Sequence, residues 1–303
     1  MEVRALAGLR LGVFGKGGAG KSTVTVFLAR SLQALGYSVL VLDADSTNVG
    51  LASALGADRE PDALLDHFGG MVFSGGAVTC PVDDPTPLVG AELRLEDLPR
   101  RFVGRTGSGI HVLSAGKLGA LGPGAGCDGP VAKIARDLRV SGHGPDPVML
   151  VDYKAGFEDA ARGALTTLDW VMVVADPTAS ALQLGRHMAG MVGEIRRGVP
   201  PATRHLESAA LAELAARLFR EARIKGVLAV LNRVSTRGTE AYLRAALKGS
   251  DLPVVGVFGE TAAVADQWLR GATLESEALS DSARLLAERI ESVVLGAGVP
   301  AMA

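Results

Sequence analysis

The chain has 303 residues, 48% of them hydrophobic and 21% charged, with a formal net charge of -2; this suits a globular protein with a sizeable core and supplies no bulk positive charge for nucleic acid or lipid headgroups. Aromatic residues make up only 4%, which argues against a surface that stacks on single-stranded bases. Residues 1–8 lack the pattern of a secretion signal, no apolar run is long enough to cross a bilayer, and the cysteines, Cys80 and Cys127, are too few for a disulfide framework; a cytoplasmic protein with reduced thiols is expected.

Taken in chain order, residues 9–14 read as a buried strand running into a glycine-rich loop, and residues 22–33 carry Val26, Leu28, Ala29 and Leu32 at helical spacing. Further strands are predicted at 38–42, 147–151, 170–175, 226–231 and 254–258, with helices at 131–138, 178–195, 239–247 and 275–294. That alternation predicts an α/β fold, a mainly parallel, doubly wound sheet with helices on both faces and ligands at the carboxyl ends of the strands. A single domain is expected over 1–295, with an irregular insertion at about 69–105 and a helical one at about 197–224. The helical insertion places Leu206, Ala210, Leu214 and Leu218 on one face, which packs on the domain's own sheet. Residues 296–303 are expected to be a disordered tail.

The loop after the first strand reads Gly15-Lys16-Gly17-Gly18-Ala19-Gly20-Lys21-Ser22-Thr23 and fits G-x-x-x-x-G-K-[ST], between a strand and a helix. Glycines let successive backbone N–H groups turn inward around phosphate oxygens, and the helix presents its positive end to the same anion. Lys21 reaches the β- and γ-phosphates and the Ser22 hydroxyl takes Mg²⁺. The expectation is a P-loop ATPase with ATP and Mg²⁺ as cofactors. The second strand ends in Asp43-Ala44-Asp45, placed to orient a water and support the metal's water shell, and the 147–151 strand runs into Asp152, as a metal-supporting Walker B strand should. Gly156 lets the following backbone approach the γ-phosphate.

Lys16-Gly17-Gly18-x-x-Lys21-Ser22 resembles the deviant Walker A signature. That family contains the MinD- and ParA-type positioning ATPases, the nitrogenase iron protein and metal-site maturation ATPases. The resemblance implies a homodimer with ATP between subunits, in which Lys16 crosses to the partner's nucleotide. It also implies that Asp45 is the carboxylate tied to hydrolysis, with Asp43 backing Mg²⁺, and that Asn232, in Leu231-Asn232-Arg233, recognises adenine. Lys16, Lys21 and Asp45 are thus the catalytic candidates. A proline-containing loop that usually frames the base is replaced here by Phe258-Gly259-Glu260-Thr261.

Gly124-Ala125-Gly126-Cys127-Asp128-Gly129-Pro130 resembles the G-x-G-C-x-C-P motif of CooC-type nickel-insertion ATPases, with Gly129 where the second cysteine would be. Asp152-x-x-Ala155-Gly156-Phe157-Glu158-Asp159 resembles the same branch. The implied role is maturation of a client metalloenzyme, with Cys127 holding Ni²⁺ or Zn²⁺ at the dimer interface. One thiolate per subunit makes an open, exchangeable site rather than a closed zinc site. A MinD- or ParA-type positioning ATPase is the alternative, although the segment from Leu295 to Pro300 carries no basic amphipathic helix. A nucleotide switch without a metal role is another. An electron carrier is disfavoured because 157–167 contains no second cluster cysteine.

Overall fold

The computed structural model describes residues 4–72, 75–117, 128–142, 146–156, 158–161, 163–199 and 208–296. Cys127, Phe157, Leu206 and the expected tail from 297 onward lie outside the described residues.

The strands are β1 (Arg10–Gly15), β2 (Val39–Ala44), β3 (Glu92–Arg94), β4 (Gly104–Arg105), β5 (His111–Ser114), β6 (Arg139–Ser141), β7 (Val148–Tyr153), β8 (Trp170–Ala175), β9 (Gly226–Val234) and β10 (Val254–Gly259). Eight of them form one sheet in the order β10-β9-β8-β1-β7-β2-β5-β4, every pairing parallel except β4 with β5. The short β3 and β6 pair apart from it. The helices are α1 (Lys21–Ala34), α2 (Leu51–Leu55), α3 (Leu64–His67), α4 (Gly129–Asp137), α5 (Glu158–Ala161), α6 (Ala179–Arg196), α7 (Ala209–Arg220), α8 (Arg237–Leu247), α9 (Ala262–Leu269) and α10 (Glu277–Val294).

Strand residues alternate between two cores, as a two-residue period requires. Val39, Val41, Val148 and Leu150 join a core with Phe27 of α1, Leu51 of α2 and Leu286 of α10. Leu40, Leu42, Met149 and Val151 face the other way, against Ile134 of α4, Val192 of α6 and Leu243 of α8. Because both faces are covered, the strands read as unbroken apolar runs instead of alternating patterns. Each such side chain contributes about 1.5–3 kcal/mol by leaving water.

The order of strands builds the site. β7 lies between β1 and β2, and β8 lies on the other side of β1, so the chain turns to opposite sides of β1. The loops leaving β1, β2 and β7 therefore stand side by side at the carboxyl edge, beside a switch point where open α/β sheets bind ligands.

Within the expected insertion at 69–105, Met71, Val78, Leu98 and Phe102 join one of the two cores. The structure changes two expectations. The helical insertion turns a different face inward, with Ala215 and Phe219 buried while Ala210 is exposed and Leu214 and Leu218 are half-buried. The reason is the larger Phe219 ring, which joins the core and rotates the helix around itself. The sheet also contains β5, a four-residue strand directly after Ile110 that the sequence reading did not include.

Candidate nucleotide site

The phosphate loop crosses from β1 to α1 with Gly17 and Gly18 exposed at its crest and Ala19 buried beneath. Gly20 is the N-cap of α1 at φ 89°, and a Cβ there would stand 2.1 Å from the Asn232 side-chain nitrogen. Only glycine satisfies both the left-handed backbone and that approach. Gly15 meets the same kind of limit, since its Cβ would stand 2.4 Å from the Val174 carbonyl on β8. The Gly156 amide donates to the Gly15 carbonyl at 3.0 Å, which brings the loop after β7 onto the phosphate loop.

Lys21 occupies the first turn of α1 and is 7% exposed. The neighbouring Ser22 hydroxyl donates to Asp152 Oδ2 at 2.6 Å and accepts from the Asn48 side-chain amide at 3.0 Å. Asp152 pairs in register with Val13 on one side and Asp43 on the other. Burial pushes its carboxyl up to about 7, with Asp43 adding to the rise while Ser22 and Lys21 oppose it. Its Oδ1 is buried without a hydrogen-bond partner. A buried carboxylate oxygen left unpaired beside a serine hydroxyl, with further carboxylates near, is a donor set that fits a hard divalent cation with bound water. The residues present thus fit Mg²⁺.

Asp43 is held differently from Asp152. Its Oδ2 pairs with Lys117 Nζ at 2.6 Å and its Oδ1 accepts the Asp45 amide at 3.1 Å. Burial pushes its carboxyl up to about 6 although Lys117 opposes the rise. Asp45 Oδ1 accepts from the Thr47 hydroxyl at 2.7 Å and from the amides of Thr47 and Asn48. Burial raises its carboxyl, but those bonds and Lys21 outweigh it and leave it below the usual range. Asp45 thus caps its own turn and stays ionised.

Lys16 lies within its own chain's reach of β8. Its Nζ stands 3.1 Å from Asp176 Oδ2 and donates to the Thr178 hydroxyl at 3.2 Å. On the other side of the loop, Thr23, Asn232, Arg233, Gly259, Glu260 and Trp268 line a cavity of about 330 Å³. The Asn232 amide donates to the Ala19 carbonyl at 2.7 Å, and the Trp268 indole N–H donates to Thr23 Oγ1 at 2.9 Å. Arg233 has φ 57°, the one non-glycine residue at positive φ among the described residues. Such backbone costs on the order of 1–3 kcal/mol and is retained where surroundings over-determine it.

Near the cysteine motif, a Cβ on Gly129 would lie 2.2 Å from Cys80 Sγ and 2.7 Å from its Cβ. Cys80 therefore fills the space that a side chain at 129 would need. Cys127 itself lies outside the described residues. Sequence reasoning missed Asn48, Lys117, Asp176 and Trp268. For Lys117 a signal existed, since Ile110-His111-Val112-Leu113-Ser114 is an apolar run ending in a polar loop. For Asp176 it was Asp-Pro-Thr at the end of a recognised strand.

The profile of the CobQ/CobB/MinD/ParA nucleotide binding domain matches residues 13–274. The chain is 29% identical over 188 residues to the carbon monoxide dehydrogenase accessory protein CooC of Rhodospirillum rubrum, covering 62% of this chain and 70% of that protein. It is also 29% identical over 180 residues to an uncharacterized ATP-binding protein of Methanocaldococcus jannaschii, covering 59% and 71%. Among solved structures it resembles the septum site-determining protein MinD of Pyrococcus horikoshii complexed with Mg-ADP. The TM-score is 0.57, with 17% identity over 97% of this chain and 99% of that one. Cobyrinic acid a,c-diamide synthase of Mycobacterium smegmatis, with bound ADP and magnesium, shares the fold at a TM-score of 0.54 and 15% identity over 98% of each chain. Among the described residues no helix is long and apolar enough to cross a membrane.

Proposed function

The chain belongs to the CobQ/CobB/MinD/ParA nucleotide-binding family of P-loop ATPases, and from that premise we propose that it closes as a homodimer on Mg-ATP to drive metal insertion into a client metalloenzyme. The observation that carries the metal role is the likeness to CooC, which covers 62% of this chain and 70% of the relative's length. The neighbours that hold Mg-ADP on the same fold support the cofactor assignment.

In this reading the backbone amides of Gly17, Gly18, Ala19 and Gly20 wrap the phosphates and Lys21 supplies the fixed positive charge. Ser22 and Asp152 would hold Mg²⁺, with Asp43 behind them, and the ion would offset charge on the phosphate oxygens. Asp45 orients the attacking water from the loop after β2. Asn232 and Trp268 line the cavity assigned to the base, where an indole suits a purine by its apolar area. Lys16 leaves Asp176 and Thr178 to reach the partner's nucleotide, so its present contacts describe the unpaired subunit.

Nickel or zinc is cargo in this scheme, held between subunits by Cys127 as an exchangeable thiolate pair. Metal analysis of the dimer with Mg-ATP and with Mg-ADP tests it, beside the Cys127→Ser variant. The expected result is about one labile divalent ion per dimer, tighter with ATP and absent in the variant. Equal binding by variant and wild type removes the metal role and leaves the ATPase standing.

A further inference from the structure

Asp128 joins three parts of the molecule that the chain itself keeps apart. Its Oδ1 accepts the Ser46 hydroxyl at 2.6 Å and its Oδ2 pairs with Lys154 Nζ. Ser46 follows Asp45 directly in the loop after β2 and is 3% exposed. Lys154 lies two residues beyond Asp152, next to the Ala155-Gly156 segment that bonds back to the phosphate loop. Asp128 is also the residue from which α4 starts. One carboxylate thus touches both loops that leave the strands flanking the nucleotide site, and it does so from the end of a third element.

Both ends of α4 are packed, Gly129 and Pro130 included, but their polar contacts differ. At the carboxyl end, the buried Arg10 guanidinium donates to the Ala135 carbonyl at 2.9 Å and to that of Leu138, and Arg139 donates to the carbonyls of Arg136, Asp137 and Leu138. That end is fixed to β1. At the start, Asp128 keeps 17% and Lys154 34% of their side-chain surface exposed, so water can replace either partner. Such a contact opens readily, in contrast to a buried pair. The loop carrying Ser46 is also gripped from its far side, because Lys117 holds the Asp43 carboxylate and the carbonyls of Asp45 and Asn48 together. A loop pinned in this way moves as one piece, and Ser46 carries that movement to Asp128.

We propose that Asp128 is a positioning residue for ATP hydrolysis: it keeps the loops after β2 and β7 in register with each other, and it passes displacement of either loop to the start of α4. It touches no nucleotide and acts only through Ser46 and Lys154. The proposal rests on the ATPase activity and not on the metal role, so failure to bind nickel leaves it intact.

The test uses the full chain with Asp128→Ala, Ser46→Ala, Lys154→Met and the Ser46→Ala/Lys154→Met double variant. Asp128→Ala is expected to lower kcat about tenfold while KM for ATP stays within about twofold, the signature of lost alignment rather than lost binding. The single variants each lose less, and the double variant matches Asp128→Ala instead of the product of the singles, because both remove one junction. Hydrogen exchange gives a readout independent of turnover. In the wild type, exchanging Mg-ADP for a non-hydrolysable Mg-ATP analogue should alter amide exchange over both 46–50 and 129–133. In Asp128→Ala the change at 46–50 persists and that at 129–133 disappears. Wild-type kcat in Asp128→Ala, independent effects of the single variants, or nucleotide-dependent exchange at 129–133 that survives Asp128→Ala would each overturn the assignment.

Discussion

Lys21 and Asp45 show how one environment sets two opposite roles. Lys21 is nearly closed off at the first turn of α1, where its charge has no bulk water to screen it. Lys21→Ala should weaken Mg-ATP binding about a hundredfold or more, equivalent to about 2.7 kcal/mol or more. Titration calorimetry reads this directly, and an unchanged Kd would remove the phosphate-loop assignment. Asp45 needs a gentler substitution, since its Oδ1 also caps the turn at Thr47 and Asn48. Asparagine keeps that acceptor and removes the charge. Asp45→Asn should therefore bind ATP normally and hydrolyse it more slowly, whereas wild-type turnover would mean that the water is oriented by another group. Asn232 carries a structural duty as well, through the Ala19 carbonyl. Losing that one bond costs about 1 kcal/mol.

At the scale of elements, the nucleotide loops were legible because each is local. An apolar strand, a loop and a helix occur together in sequence, and chemistry follows from their order, as with Gly15 to Ser22 after β1. What joins the loops was not legible. Lys117 reaches Asp43 across 74 positions, and Asp128 reaches Ser46 across 82. No periodicity links such residues, because strand order and not sequence order brings them together. The Cys80–Gly129 contact is of this kind, and it is testable by packing. Gly129→Cys puts a Cβ where Cys80 already lies and should destabilise by about 1–3 kcal/mol. Combining it with Cys80→Gly should recover most of that loss in denaturant unfolding. Additive losses would mean that the two positions do not share the space.

The neighbouring loop has its own pH signature. Asp84 accepts from the Thr79 and Thr86 hydroxyls, from the Thr86 amide and from the buried Lys133. Burial raises its carboxyl, but these bonds outweigh burial and hold it well below the usual carboxylate range. A folded-state value below the unfolded one adds stability above the unfolded pKa of about 4, and that stability is lost as pH falls below it. Asp84→Asn should therefore be less stable than wild type at pH 7 and should lose less on acidification to pH about 3. Parallel stability curves for the two proteins would show that Asp84 contributes nothing to acid sensitivity.

For the whole molecule, the proposed sandwich dimer makes Lys16 the residue to watch. Its contacts with Asp176 and Thr178 lie within one chain, so pairing of the proposed kind would exchange them for the partner's phosphate. Sedimentation should show a doubled mass with a non-hydrolysable ATP analogue and a single mass with ADP. Lys16→Ala should weaken that association more than it weakens nucleotide binding to the monomer. An unchanged mass in every nucleotide state would rule out the ATP-closed dimer.

The position of β7 between β1 and β2 has a consequence for how the protein reaches its native state. β1 and β2 are neighbours in sequence but never pair, and the partner of both arrives only when Arg10 meets Met149 and Val39 meets Val148. A chain emerging from the ribosome has its complete phosphate loop long before it has the strand that anchors it. Parallel pairings so far apart close large loops before they gain contacts, which slows folding. Refolding monitored by a fluorescent ATP analogue should show nucleotide capture only in the final phase, after most of the helical signal has returned.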